Sequence, residues 1–109
     1  MKRILYTLMM TAVVGVGLSS CMAPPNAPIP YLFDGRLDGT EHRQAIIFLH
    51  GRGGKSHHFF RHGFVNEVRR RHLLVDIVAP AAHVGYYRSQ TLVERLREDI
   101  IKPLRRRGY

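Results

Sequence analysis

The stretch His50-Gly51-Arg52-Gly53-Gly54-Lys55-Ser56 gathers an imidazole, three glycines, two cations and a hydroxyl into seven positions. It closes on Gly-Lys-Ser, as a phosphate-binding loop does. Such a loop needs Gly, four residues, then Gly-Lys-Ser/Thr, so that backbone amides curl around a polyphosphate and the lysine reaches its outer oxygens. The opening glycine would stand at position 49, where the chain has Leu49. Leucine fits the end of a buried strand and resists the turn that the loop requires. The nucleotide reading is set aside, and a His-Gly followed by two more glycines asks for a different chemistry.

A second cluster follows at His57, His58 and His62. Two imidazoles four apart share one helix face, a spacing that can hold a metal. No carboxylate or cysteine accompanies them, and His58-x-x-x-His62 lacks the glutamate of the zinc protease motif. Surface histidines, with no metal and no cofactor, are the expectation.

These residues need a frame. "QAIIFLH", ending at His50, is a continuous apolar run of β-favouring residues, as a strand buried on both faces reads. From His57 to His72, Phe59, Phe60, Phe64, Val65 and Val68 follow a roughly helical period interrupted by Gly63. "LLVDIVAP", Leu73 to Pro80, predicts a second strand stopped by its proline. Leu92, Leu96, Ile100 and Leu104 then recur at intervals of four, with Val93 and Ile101 widening the stripe. Thr91 and Glu94 have capping-box spacing, Glu98 and Lys102 form a favourable pair, and Gly108 suits a helix stop. Pro103 is expected to kink the last turn or end it early. Upstream, "YLFDGRLDG" from Tyr31 to Gly39 predicts a strand or hairpin. Strand, helix, strand, helix predicts an α/β fold with a parallel sheet and helices on its faces. Ligands gather at the carboxyl ends of such strands. The first of those ends is His50-Gly51-Arg52-Gly53-Gly54.

In this order the residues resemble the α/β-hydrolase fold. "AIIFLHGRGG" looks like its third strand and His-Gly motif, "LLVDIVAPAAHVGYY" like the fourth strand and following loop, and "LVERLREDIIKPLRRRGY" like the helix preceding the nucleophile strand. The resemblance spans Ala45 to Tyr109 and implies an incomplete α/β-hydrolase-like parallel sheet with flanking helices. In that family the turn after His-Gly supplies one oxyanion-hole amide, and the residue after the nucleophilic serine supplies the other. The backbone N–H of Arg52, with Gly53 next, would be the donor; His50 and Gly51 would position the turn. Acyl transfer puts negative charge on a carbonyl oxygen, and bare backbone lets amides approach it. His83, Tyr86 and Tyr87 would line an acyl or leaving-group pocket, or else pack against the sheet.

The chain departs from the family in its chemistry. A serine raised on a Gly-x-Ser-x-Gly elbow, its base and the orienting carboxylate are required, and no such pentapeptide occurs. After residue 20, Ser56 and Ser89 are the serines, neither set between the two elbow glycines. In the family's sheet order the "AIIFLH" strand lies between the fourth and fifth strands, so its outer edge needs a further strand. The expectation is the front part of a longer ester or amide hydrolase, inactive without the missing residues. The alternative is a small lipid-anchored binding or structural protein of the cell envelope.

The first residues supply the address. Lys2 and Arg3 precede an apolar run from Ile4 to Leu18 and then "LSSC", the order of an export signal over residues 1–20. The run is shorter than the roughly 20 residues a spanning helix needs. Leu18 to Cys21 resemble the lipobox of bacterial lipoproteins, which implies lipidation of Cys21, the one cysteine of the chain. Met22 is not the aspartate that resembles an inner-membrane retention signal, so a Gram-negative outer membrane is the implied destination. "APPNAPIP" completes a proline-rich linker over residues 21–30, and the folded body is expected over 31–109.

Beyond residue 20, 15 basic residues face 8 acidic ones, a net charge of +7. Much of it sits in Arg69–Arg71 and Arg105–Arg107, each run closing a predicted helix, where cations oppose the negative end of the dipole. No RNA-binding signature, zinc-finger spacing or basic-aromatic interleaving accompanies it, so nucleic acid is not an expected partner. Membrane contact through Cys21 and, in a complete enzyme, a small ester or amide are.

Overall fold

The computed structural model describes residues 24–35 and 43–109; residues 1–20, read above as an export signal, Met22 and the lipidation candidate Cys21 lie outside them. Three strands form one sheet: β1 (Tyr31–Asp34), β2 (Ala45–Ile47) and β3 (Asp76–Pro80), in the order β1-β3-β2. β2 runs parallel to β3, with Ile46 opposite Ile77 and Ile47 opposite Val78. β1 runs antiparallel on the other side, pairing Tyr31 with Pro80 and Asp34 with Ile77. The fold is mixed α/β: β2 and β3 form a parallel pair as expected, and β1 adds an antiparallel strand that makes the sheet mixed.

Side chains alternate across a strand, so a central strand must satisfy two cores. Ile77 joins Val65 and Val68 on one face, with Phe48, Phe59, Phe60 and Val75 packed around them. Val78 joins Ile29, Ala82, Tyr86, Ile100 and Leu104 on the other. Helices cover both faces. On the first lie α1 (His58–Arg61) and α2 (Phe64–Arg70), separated by Gly63, whose φ of 84° gives the break a backbone that L side chains rarely adopt. Phe59 stacks on Phe48 at 4.8 Å between ring centroids, fastening α1 to the end of β2.

The second face is covered by the C-terminal helical run: α4 (Leu92–Leu96), a π turn (Arg97–Ile101) and α5 (Lys102–Arg106), after the short α3 (Val84–Arg88). Pro103 does not end this run. Proline cannot donate to the carbonyl four residues back, and the π turn immediately before it takes up the mismatch, with the Lys102 N–H reaching the Arg97 carbonyl. The π turn also serves the apolar stripe. Residues spaced by four drift about 40° per step around an ideal α-helix, and a wider turn offsets part of that drift. Leu92, Leu96, Ile100 and Leu104 accordingly all reach the core, whereas Val93 is 77% exposed and does not widen the stripe.

Several expectations change where tertiary contacts compete with local ones. β2 is a half-buried edge, not a strand buried on both faces, and Leu49 beyond it is exposed. The second strand starts at Asp76, leaving Leu73 and Leu74 exposed. Thr91 makes no side-chain cap to α4; its hydroxyl donates to the Pro25 carbonyl at 2.7 Å. The segment read as linker is docked. Ile29 is 3% exposed, its N–H donates to Asp99 at 2.9 Å, and the Ala81 N–H donates to the Pro30 carbonyl. The folded body therefore begins before Tyr31, because burying one isoleucine and making these bonds favours order over a free spacer.

The arginine runs are more than solvated helix ends. Arg69 Nε donates to Asp34 Oδ1 at 3.0 Å, and its guanidinium also reaches the carbonyls of Asp34 and Val75. It ties the end of α2 to β1 and to the approach to β3. Arg107 lies 5.2 Å over the Phe33 ring. Glu98 and Lys102 pair as expected at 2.8 Å. The Tyr109 hydroxyl donates to Asp76; burial first, then this carboxylate, raises its pKa. Among the described residues the Tyr86 hydroxyl, fully buried, has no hydrogen-bond partner.

Two outcomes follow from this packing. Ile77→Ala should lower the unfolding free energy by about 2–5 kcal/mol, whereas Tyr86→Phe, which removes an unpartnered buried hydroxyl, should be neutral or stabilising; urea denaturation of both variants measures the contrast. Hydrogen bonds from Arg70 and then Arg71 hold the Glu67 carboxyl at a pKa of about 2, below its ordinary 4.5. A depressed carboxylate stabilises the fold above the unfolded value and loses that contribution as pH falls through the folded one. The group is exposed, so the effect on global stability is small. A side-chain NMR titration should place the Glu67 midpoint near 2 in the folded protein, and Arg70→Ala should move it back toward the ordinary value.

Candidate functional site at the carboxyl edge of the sheet

The parallel pair β2 and β3 ends on one edge of the sheet, and the loops leaving it carry the glycine-rich turn and the start of α3. The Phe48 N–H donates to the Val78 carbonyl at 2.8 Å, extending the ladder one residue beyond β2. The chain then reaches His50 and turns. The Gly54 N–H bonds the Gly51 carbonyl at 3.0 Å, and Gly53 has a φ of 74°, the signature of a type II turn with a glycine at its third position. A Cβ on Gly54 would lie 2.9 Å from the His50 Cβ and 3.1 Å from the Gly51 carbonyl oxygen. The turn is therefore folded tightly onto the histidine.

His50 is 7% exposed, with Nδ1 3.0 Å from the Gly51 carbonyl. A carbonyl oxygen only accepts, so Nδ1 is the donor in this bond. The imidazole braces the first residue of the turn. The N–H groups of Arg52 and Gly53 make no hydrogen bond with the described residues. They are donors on an exposed turn with no acceptor among the described residues.

The facing loop is capped by a second histidine. His83 Nδ1 accepts from the Gly85 N–H at 3.0 Å at the start of α3, a role usually taken by Ser, Thr, Asp or Asn. Its ring lies 4.5 Å from that of Tyr86. Between the two loops is a cavity of about 660 Å³, lined by the turn from His50 to Lys55 and by Ala82, His83, Val84, Tyr87 and Arg88. That volume lies within the range of small-molecule sites.

The fold thus brings His50, Gly51, Arg52, Gly53, His83 and Tyr87 to one cavity. It does not bring Tyr86, which is fully buried between the sheet and the C-terminal helical run. Tyr86 takes the packing role, and Tyr87, about half exposed, takes the wall. Burial, then the charge of Asp99, pushes the Tyr86 phenol pKa upward. Lys55, weighed in the sequence only as a phosphate-loop lysine, also lines the cavity, as do Ala82, Val84 and Arg88, to which the sequence reading gave no role. The spacing of Val84, Tyr87 and Arg88, three and four apart, carries the signal, since such residues share one helix face.

The His57, His58 and His62 cluster stands apart from this wall. The His58 ring accepts the Lys55 N–H through Nδ1 at 3.2 Å, and its centroid is 5.5 Å from that of His62. Among the described residues no group of three or more potential ligands is arranged to hold a metal. Partial removal from water, then the neighbouring His57, His62, Arg61 and Lys55, lowers the His58 pKa.

Steric fit around His50 gives a paired outcome. Gly54→Ala forces backbone and a buried ring apart and should cost about 1–3 kcal/mol, while Gly51→Ala meets open space and should stay within about 0.5 kcal/mol. Thermal unfolding of the two variants, compared with the parent, checks the difference.

Among known proteins, no family model, no curated relative and no solved structure matches this chain.

Proposed function

We propose that this chain is the front part of a membrane-tethered α/β-hydrolase that cleaves an ester or amide, anchored through a lipidated Cys21 in the outer membrane of a Gram-negative envelope. The observation that carries this reading is the turn from Gly51 to Gly54. It lies at the carboxyl edge of a parallel strand pair, lines a cavity, and bears two backbone N–H groups with no acceptor among the described residues. Preorganised amides of this kind stabilise the oxyanion formed when a nucleophile adds to a carbonyl, without reorganising as charge develops. Arg52 and Gly53 supply the donors in this reading, and His50 holds the turn.

In this reading the nucleophile, base and orienting carboxylate are supplied by further chain. Among the described residues β2 pairs with β3 on one side and has an unpaired edge on the other. Beside that edge runs a groove of about 570 Å³ bordered by Ala45, Ile47, Ile101, Leu104 and Tyr109. A further parallel strand added there would carry its own carboxyl end to the same edge as His50. Exposed strand edges favour pairing, which supports a continuing sheet.

Intact mass of the native protein extracted from the cell envelope, followed by fluorophosphonate labelling, tests the proposal. A mass well above Cys21 to Tyr109 plus acyl chains, with one labelled serine, is the expected result. A mass equal to that short lipidated chain and no labelling would overturn the hydrolase and leave a lipid-anchored binding protein.

A further inference from the structure

The cavity wall is strongly one-signed. Arg52, Lys55 and Arg88 line it together with His50 and His83, and among the described residues no carboxylate does. The acids of the described chain are committed elsewhere: Asp34 to Arg69, Glu67 to Arg70 and Arg71, and Asp76 to Tyr109. Glu94 and Asp99 face Arg95, and Glu98 faces Lys102 and Arg97. Among the described residues none of these pairs includes Arg52, Lys55 or Arg88. Ala82, Val84 and Tyr87 give the same cavity an apolar side. A cleft with one sign of charge and low-dielectric walls concentrates the field and draws in ligands of the opposite sign.

We infer that this cavity binds a small ligand with an apolar body and an oxyanionic head, carboxylate or phosphate, held by Arg52, Lys55 and Arg88. Resting on the hydrolase reading, the substrate is then an anionic ester or amide, its charged group paired with these cations and its carbonyl against the amides of Arg52 and Gly53. Guanidinium groups suit such a head because they donate two parallel hydrogen bonds to it. The turn thus presents side-chain charge for recognition and backbone donors for chemistry.

Calorimetric titration of the full-length protein in neutral detergent tests this with three probes: phenyl phosphate, benzoate and the uncharged benzyl alcohol. At least one anionic probe should bind about tenfold more tightly than benzyl alcohol, and its affinity should fall about tenfold in Arg52→Gln and in Arg88→Gln. Arg106→Gln, in an exposed run away from the cavity, should leave it unchanged. Whichever anion prefers the site assigns the head group. Equal binding of benzyl alcohol, no binding of either anion, or an equal loss in Arg106→Gln would overturn the inference. Binding is read without turnover, so its absence leaves a hydrolase of neutral substrates standing. Anion binding without serine labelling would sink the hydrolase and keep the anion site.

Discussion

β3 is the constraint on which the other elements depend. It is the strand that pairs with both neighbours, and Ile77, Val78 and Ala79 are fully buried. Because successive side chains leave a strand on opposite faces, those residues demand an apolar partner above and below. α1 and α2 answer on the Ile77 side; the docked segment around Ile29 and the C-terminal helical run answer on the Val78 side. A small chain buries little of its surface, so one strand serving two cores is an efficient use of few residues.

The cavity is a consequence of that arrangement. Both parallel strands end at one edge, so the loop after β2 and the loop after β3 leave the sheet side by side. Each is stiffened by a histidine used structurally: His50 donates to the first residue of its turn, and His83 accepts at the start of α3. The backbone is held by these local bonds, and the cationic side chains of Arg52, Lys55 and Arg88 pair with no carboxylate among the described residues. Charge at the opposite end of the molecule is handled differently. Arg69 is spent on Asp34 and two carbonyls, and Arg107 on the face of Phe33. A uniform count of basic residues conceals this division between structural and available cations.

The C-terminal helical run shows how sequence and packing negotiate. A stripe spaced strictly by four and a proline near the end are both awkward for an ideal α-helix. One π turn accommodates the two together, since its longer hydrogen-bonded loop absorbs rotational drift and precedes the residue that cannot donate. Thr91 shows the same competition on a smaller scale, giving up a local cap for a bond to the Pro25 carbonyl.

The sequence by itself determined the alternation of strand and helix from Ala45 to Arg106, the break at Gly63, and the glycine turn after His50, because periodicity and glycine placement are local properties of the chain. Tertiary structure alone decided the antiparallel partner Tyr31–Asp34, the docking of Ile29, the burial of Tyr86 beside an exposed Tyr87, and the meeting of Lys55 with Arg88 across one cavity. Each of these joins residues far apart in the chain or sorts adjacent ones by which face meets the sheet. Neither is written in local spacing; both are set by where β3 finds its partners.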